Sequence, residues 1–422
     1  MRVMLLLAVL AFFWPAWVPV LAEGAFFREY WAEWDERISN HPGRLRVNDT
    51  EITLHPSYGR RSEGRANGLM LLTVPEDIFA LERAELYLEL WGGHPGTARK
   101  RFMLNGKGTY SLPEVGAEEK HCTYSYPVIP LERVHLVSGV NAFQFACDRG
   151  ETFWGHFIID NACVRAYLPA DHPDLVARGL DAFSAHIGTP AQGAAVGDAC
   201  RVALEYPEEL AGGIVSVDYF ARYAGFDDDG DGEDAGWHGF TQKREPREHV
   251  GSATDPPFAV TWDTSMIPTQ GGPMALRAVV HLRDGFHYAT PVVDGLTFAE
   301  RRRRVVLYRA SELPAPFWSR ASRERTATVD LPDDLSAVER AELYVRVWDG
   351  GEGTVEEPFT LNGHPYEVTS GRASHDVVFT RVEVKRDHLK PGANEFRLLS
   401  DTQHHGIELL LPGPCLILRS EE

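Results

Sequence analysis

The chain has 422 residues, 44% of them hydrophobic and 24% charged, with a formal net charge of −19. That is too long for one core and argues for two to four domains of ordinary globular composition. The acidic balance, spread along the chain, excludes nucleic acid and anionic membrane surfaces as expected partners, because both attract basic proteins.

Residues 1–22 read as a secretory signal. Arg2 precedes an apolar run from Val3 to Phe13, and a small residue, Ala22, stands before Glu23. Pro15 and Pro19 oppose a membrane-spanning helix, and no other stretch approaches about 18 apolar residues. Export is therefore expected, with no integral span in the mature chain; an uncleaved N-terminal anchor is the rival. Residues 23–44 carry an aromatic-rich segment, FFREYWAEWDERI from Phe26 to Ile38. It is either a short helix or an extended arm that docks its rings on the first domain.

The dominant feature is a repeat. LERAELYLELWGGHPGTARKRFMLNG from Leu81 returns 257 residues later, from Val338, as VERAELYVRVWDGGEGTVEEPFTLNG, with 14 identities in 26 positions. GVNAFQF at Gly139 answers GANEFRL at Gly392. Two copies of one domain, 45–170 and 301–422, thus bracket something different. Within each copy AELYLELW and AELYVRVW alternate apolar and charged residues, the pattern of strands. Asn105-Gly106 and Asn362-Gly363 are hairpin turns, since both central positions must take positive φ. Short strands at such spacing predict a β-sandwich or jelly roll.

Five cysteines in an exported chain face an oxidising compartment. Cys122 and Cys147 are both missing from the second copy, where Asp376 and Ser400 stand nearby; joint loss is what a Cys122–Cys147 disulfide predicts. Cys163 and Cys415 read as small buried hydrophobes of the last strands. Cys200 has no assigned role.

Residues 171–188 form a linker of helical character, and 189–300 a region of another kind. Its run PPFAVTWDTSMIPTQGGPMALRAVVHLRDG resembles the C-terminal half of a bacterial immunoglobulin-like domain, in which an apolar-Thr-Trp-Asp strand is followed by a loop and a strand ending near Asp-Gly. The resemblance implies a β-sandwich of the kind used as a spacer in secreted and surface proteins. The flanking copies resemble, in strand rhythm and tandem arrangement, the jelly-roll carbohydrate-binding modules of extracellular enzymes. The expected fold is all-β, three tandem β-sandwiches: jelly-roll-like, Ig-like, jelly-roll-like.

Before that stretch, FDDDGDGEDAGWHGF places Asp227, Asp229, Asp231 and Gly232 as D-x-D-x-D-G, carboxylates at alternate positions that converge on one hard cation. The carbonyl of Glu233 and the side chain of Asp234 can add ligands. His238 stands where an EF-hand needs a bidentate glutamate, so a shortened structural calcium loop is expected, against a plain solvated acidic loop.

Trp91 and Trp348 recur at one position of both copies. They are either sugar-stacking platforms or core residues in phase with Leu86, Leu88 and Leu90 and with Leu343, Val345 and Val347. Trp154 and His156 in the first copy answer His404 and His405 in the second at the entrance to the last strand, where polar and aromatic side chains can line a ligand groove. No Gly-x-Ser-x-Gly, His-Glu-x-x-His, Walker loop or Rossmann glycine set is present, and carboxylate counting alone neither makes nor excludes a glycosidase pair. The expectation is a secreted, non-catalytic binder of extracellular polysaccharide or a cell-surface component, its two modules gaining avidity at the ends of a stiff spacer. A polysaccharide-active enzyme and a purely structural surface protein are the alternatives.

Overall fold

The computed structural model describes residues 24–32, 44–48, 68–93, 96–114, 121–148, 155–227, 235–238, 240–242, 244–300 and 303–421. The all-β expectation holds: the described residues form several packed sheets, with only short 3-10 turns and one α-helical turn between them.

The copies share one topology. In the first, strand Arg83–Trp91 lies between Phe157–Leu168 on one side and Tyr124–Ser125 and Val128–Leu131 on the other. Facing it is a four-stranded sheet ordered Leu69–Val74, Gly139–Asp148, Ala98–Leu104, Gly108–Ser111. In the second, Val338–Gly350 lies between Gly406–Leu409 with Cys415–Glu421 and, opposite, Asp376–Glu383. Its facing sheet runs Arg325–Leu331, Gly392–Leu398, Phe359–Leu361, His364–Pro365. Ala84, Leu86, Leu88 and Leu90 point into one core and Ala341, Leu343, Val345 and Val347 into the other, as a period of two requires.

The same hydrogen bonds hold both copies. Asn105 and Asn362 take φ of 51°, followed by Gly106 at 68° and Gly363 at 81°, the expected Asn-Gly turn. Asn105 Nδ2 donates to Asn141 Oδ1 (2.8 Å) and to the carbonyl of His135 (2.9 Å). Asn362 Nδ2 donates to Asn394 Oδ1 and to the carbonyl of His388, both at 2.8 Å. The Tyr110 hydroxyl meets His135 Nδ1 at 2.7 Å and Tyr366 meets His388 Nδ1 at 2.7 Å.

Of the aromatic segment Phe26–Ile38 only the residues up to Ala32 are described, and they are extended and docked on the first copy, not helical. Ala25–Trp31 is a strand that pairs with Phe157–Leu168, just as Arg303–Arg309 pairs with Cys415–Glu421. The pairing adds Ala25–Trp31 to the sheet of the first copy. The other edge of Ala25–Trp31 pairs with Phe286–Ala289 of the middle region and fuses the two into one 13-stranded sheet. Phe26 packs edge-on to Tyr288 (4.9 Å between centroids), and Phe27 stacks on His287 (5.1 Å).

The middle region is a two-sheet sandwich. One sheet is ordered His186–Thr189, Ala199–Glu205, Ala259–Asp263. The other is ordered Ala195–Val196, Val293–Phe298, Met274–Leu282, Ile214–Ala224, Ala235–His238, with the first pair parallel. Trp262 is buried between them, its indole N–H donating to the Tyr223 hydroxyl at 3.0 Å. The helical character expected for 171–188 shrinks to the turn Pro173–Val176, opened by Pro173 and followed by Gly179 at φ 66°; His186–Thr189 is already a strand of the sandwich.

Candidate functional site

The spacer does not hold the copies apart. The odd-numbered face of the first copy (Glu85, Tyr87, Glu89, Trp91) and its equivalent in the second (Glu342, Tyr344, Arg346, Trp348) both point away from their own cores, yet all but Trp348 are buried. Glu85 is enclosed by Arg83, Arg165 and Tyr167 of its own module, whereas Trp91, Tyr344 and Arg346 are buried where the modules meet. Arg346 donates to the carbonyl of Tyr124 (3.1 Å) and to the Tyr126 hydroxyl, and the Leu411 amide to the carbonyl of Cys122 (3.3 Å). The Tyr344 hydroxyl donates to the carbonyl of Asp227, and Arg381 pairs with Glu248 at 3.6 Å. Arg244 donates to the carbonyl of Ala32 at 3.0 Å, closing the contact between middle region and first copy.

Trp91 is therefore not in phase with Leu86, Leu88 and Leu90: strand alternation puts odd and even positions on opposite faces. It joins Cys122, Tyr124, Val377 and Leu410 in an apolar seam between the copies, with Trp348 packed at its margin. Trp91 and His156 are nearly fully buried, their rings 5.3 Å apart. Neither offers a free platform. Trp154 lies outside the described residues.

In the second copy the same position opens outward. Trp348 is half-buried; His375 and His405 approach it at 5.9 and 6.0 Å and each other at 4.6 Å, and both histidines are exposed, as is His404. Half-buried Trp318 donates its indole N–H to the carbonyl of His405 at 2.5 Å, and the Arg320 guanidinium covers its ring at 4.2 Å. Partial burial, then the neighbouring His375 and His404, pushes His405 down, which favours the neutral ring. Arg44 ties this end to the first copy by donating to the carbonyl of His375 (3.2 Å) while pairing with Asp160 (3.0 Å), which in turn accepts from the Tyr124 hydroxyl (2.8 Å).

Beneath the platform is a buried acid. Glu408 stands opposite both Trp348 and Trp318 in the strand register and is 2% exposed. Burial pushes its carboxyl up to about 7, while a hydrogen bond with the Cys122 thiol works in the opposite direction. Burial, and next to it Glu408, raises the Cys122 thiol well above its usual range. The expected Cys122–Cys147 disulfide is not formed. Cys122 faces Glu408 across the seam, whereas Cys147 points into the first copy's core, with its thiol 3.8 Å from the carbonyl of Val47.

Of the calcium loop only Asp227 is described, buried with its carbonyl on Tyr344; Asp229, Asp231, Glu233 and Asp234 lie outside the described residues. Sequence reasoning missed Arg346, Trp318, Arg320 and His375 as site residues. One signal was available: Arg346 reverses the charge of Glu89 inside the most strongly repeated strand.

No protein-family model matches the chain, and no curated relative is found for it. Among solved structures it is similar in part to a beta-porphyranase of glycoside hydrolase family 86 from the human gut bacterium Bacteroides plebeius (11% identity, 53% of this chain and 35% of that chain, TM-score 0.23). It is also similar in part to the fibronectin(III)-like modules of Clostridium thermocellum CbhA (11% identity, 52% and 97%, TM-score 0.18). An alfa-L-rhamnosidase from Aspergillus terreus gives 15% identity over 56% of this chain and 27% of its own, TM-score 0.18. The chain spans about a third of the length of the porphyranase, and none of these activities is transferred to it.

Proposed function

We propose that the chain is a secreted, non-catalytic glycan-binding protein that recognises its ligand on the second copy alone. The observation that carries this is the asymmetry of the twinned tryptophans: Trp91 is sealed in the seam, while Trp348 keeps an accessible face among Trp318, Arg320, His375, His404 and His405. Aromatic faces bury apolar area against the C–H faces of pyranose rings, and flanking imidazole and guanidinium groups supply hydrogen bonds to hydroxyls. The avidity expected from two separated platforms gives way to one platform on a braced body. In this reading the middle region is an immunoglobulin-like brace, which its strand order and parallel first pair support, and the copies are jelly-roll-like modules. The acidic loop 227–234 is assigned to structural calcium.

Affinity electrophoresis against a panel of extracellular polysaccharides tests the reading. The intact chain is retarded by at least one of them without releasing reducing ends. Trp348→Ala loses about tenfold in affinity, the scale of one lost stacking contact. Unchanged retardation in Trp348→Ala removes the proposal. The carboxyl of Glu408, held near neutrality beside the aromatic platform, is the observation that favours an enzyme, since such an acid can protonate a leaving group. Release of reducing ends that disappears in Glu408→Gln would establish that alternative.

A further inference from the structure

Asp349, one residue beyond Trp348, is fully buried. Its Oδ2 accepts from the Ser370 amide (3.1 Å), the Ser370 hydroxyl and the Ser374 hydroxyl (3.5 Å), while its Oδ1, equally buried, has no partner. An orphaned buried carboxylate oxygen is costly to keep. Glu352 sits beside it. The hydroxyl of Thr369 donates to Glu352 Oε1, so the two carboxylates are fastened to consecutive residues, Thr369 and Ser370, whose Cα atoms stand about 3.8 Å apart.

The surrounding loop is pinned from several sides. The carbonyl of Gly351 accepts from the buried Ser400 hydroxyl at 2.8 Å, the carbonyl of Glu352 from the Asp401 amide at 3.3 Å, and Asp401 Oδ1 from the Thr354 amide at 2.8 Å. The first copy has Gly92 and Pro95 at the positions of Asp349 and Glu352, and Arg99 and Lys100 where the second has Glu356 and Glu357. The acids thus belong to the second copy alone and do not serve the shared fold. Among the described residues no three His, Cys, Asp or Glu side chains converge on a metal, so a cation here would draw on two carboxylates and otherwise on neutral oxygens.

We propose that Asp349 Oδ1 and Glu352 are the anionic ligands of a calcium ion, completed by hydroxyl or carbonyl oxygens of the same loops and by water. An all-oxygen set with few charges suits a hard, flexible-coordination cation rather than zinc or copper. The Asp349 carbonyl accepts from the His375 amide at 2.7 Å, so the ion would brace the loop beneath Trp348 and His375. The site stands on Asp349 and Glu352 whether or not glycan binds.

Terbium luminescence sensitised by tryptophan tests it, with the full chain titrated in metal-free buffer and competed with calcium. To separate the acidic loop, the titration is repeated in a chain carrying Asp229→Asn and Asp231→Asn. Calcium-displaceable emission is expected to persist in that chain. Adding Asp349→Asn should abolish it, and adding the milder Glu352→Gln should weaken terbium binding at least tenfold with an unchanged metal-free melting temperature. Emission lost with the acidic-loop substitutions alone would overturn the proposal, as would emission indifferent to both Asp349→Asn and Glu352→Gln. Because the readout is the metal itself, its failure is distinguishable from failure of glycan binding.

Discussion

Asn141→Ala and Asn394→Ala should each lower the unfolding free energy by about 4 kcal/mol, and by similar amounts. Asn141 Oδ1 accepts from Asn105 Nδ2 (2.8 Å) and the Val137 amide (2.9 Å), while its Nδ2 donates to the carbonyls of Val137 (2.9 Å) and Gly139 (3.0 Å). Asn394 repeats all four contacts, with Asn362 (2.8 Å), the Lys390 amide (3.0 Å), and the carbonyls of Lys390 and Gly392 (both 2.8 Å). Both side chains are fully buried. Each net hydrogen bond contributes about 1 kcal/mol, and groups left unpaired inside cost more. Denaturant midpoints of the two variants measure this. A strong effect in one copy and none in the other would break the equivalence of the modules.

The second large effect is the share of the pH dependence that Glu408 contributes. Burial holds the Glu408 carboxyl at about 7, above the ordinary glutamate value of 4.5, so the folded chain binds this proton more tightly than the unfolded chain. The sign follows from linkage: this contribution to stability is fully present below the unfolded value, falls as pH rises between about 4.5 and 7, and is gone above it. Two to three pKa units correspond to about 3 kcal/mol. Thermal melts of the native chain and Glu408→Gln should diverge across that window, with the glutamine variant lacking this slope and being the more stable at pH 8. Parallel pH profiles would mean that Glu408 is hydrated rather than sealed beneath the seam.

Much of the architecture was legible because duplication supplies its own control. AELY with its alternating partners, the Asn-Gly turns and GVNAF against GANEF each map onto equivalent strands and equivalent hydrogen bonds. The ambiguity of FFREYW was one of context. A strand such as Ala25–Trp31, with aromatic rings on both faces, forms only when both edges and both faces find partners, and here one edge belongs to a module more than 100 residues away. The site was half legible. Trp348 and the histidines of the second copy do gather, but the burial of Trp91 depends on a contact between copies that no local pattern encodes. Reading Cys122 and Cys147 as a pair failed for a related reason. Joint absence from the second copy records only that both positions differ; Cys122 lies in the seam between the copies and Cys147 in the core of its own module.

The face-to-face packing of the copies is tested most directly by alkylation of the native chain under reducing conditions, followed by mass mapping. Cys122 lies on the outward face of its own module and is covered by Val377, Leu410 and Glu408 of the other, whereas Cys200 is only partly covered. Modification of Cys200 is expected well before Cys122, which should stay as protected as core Cys147. Labelling of Cys122 as fast as Cys200 in the folded protein would show that the two modules stand apart.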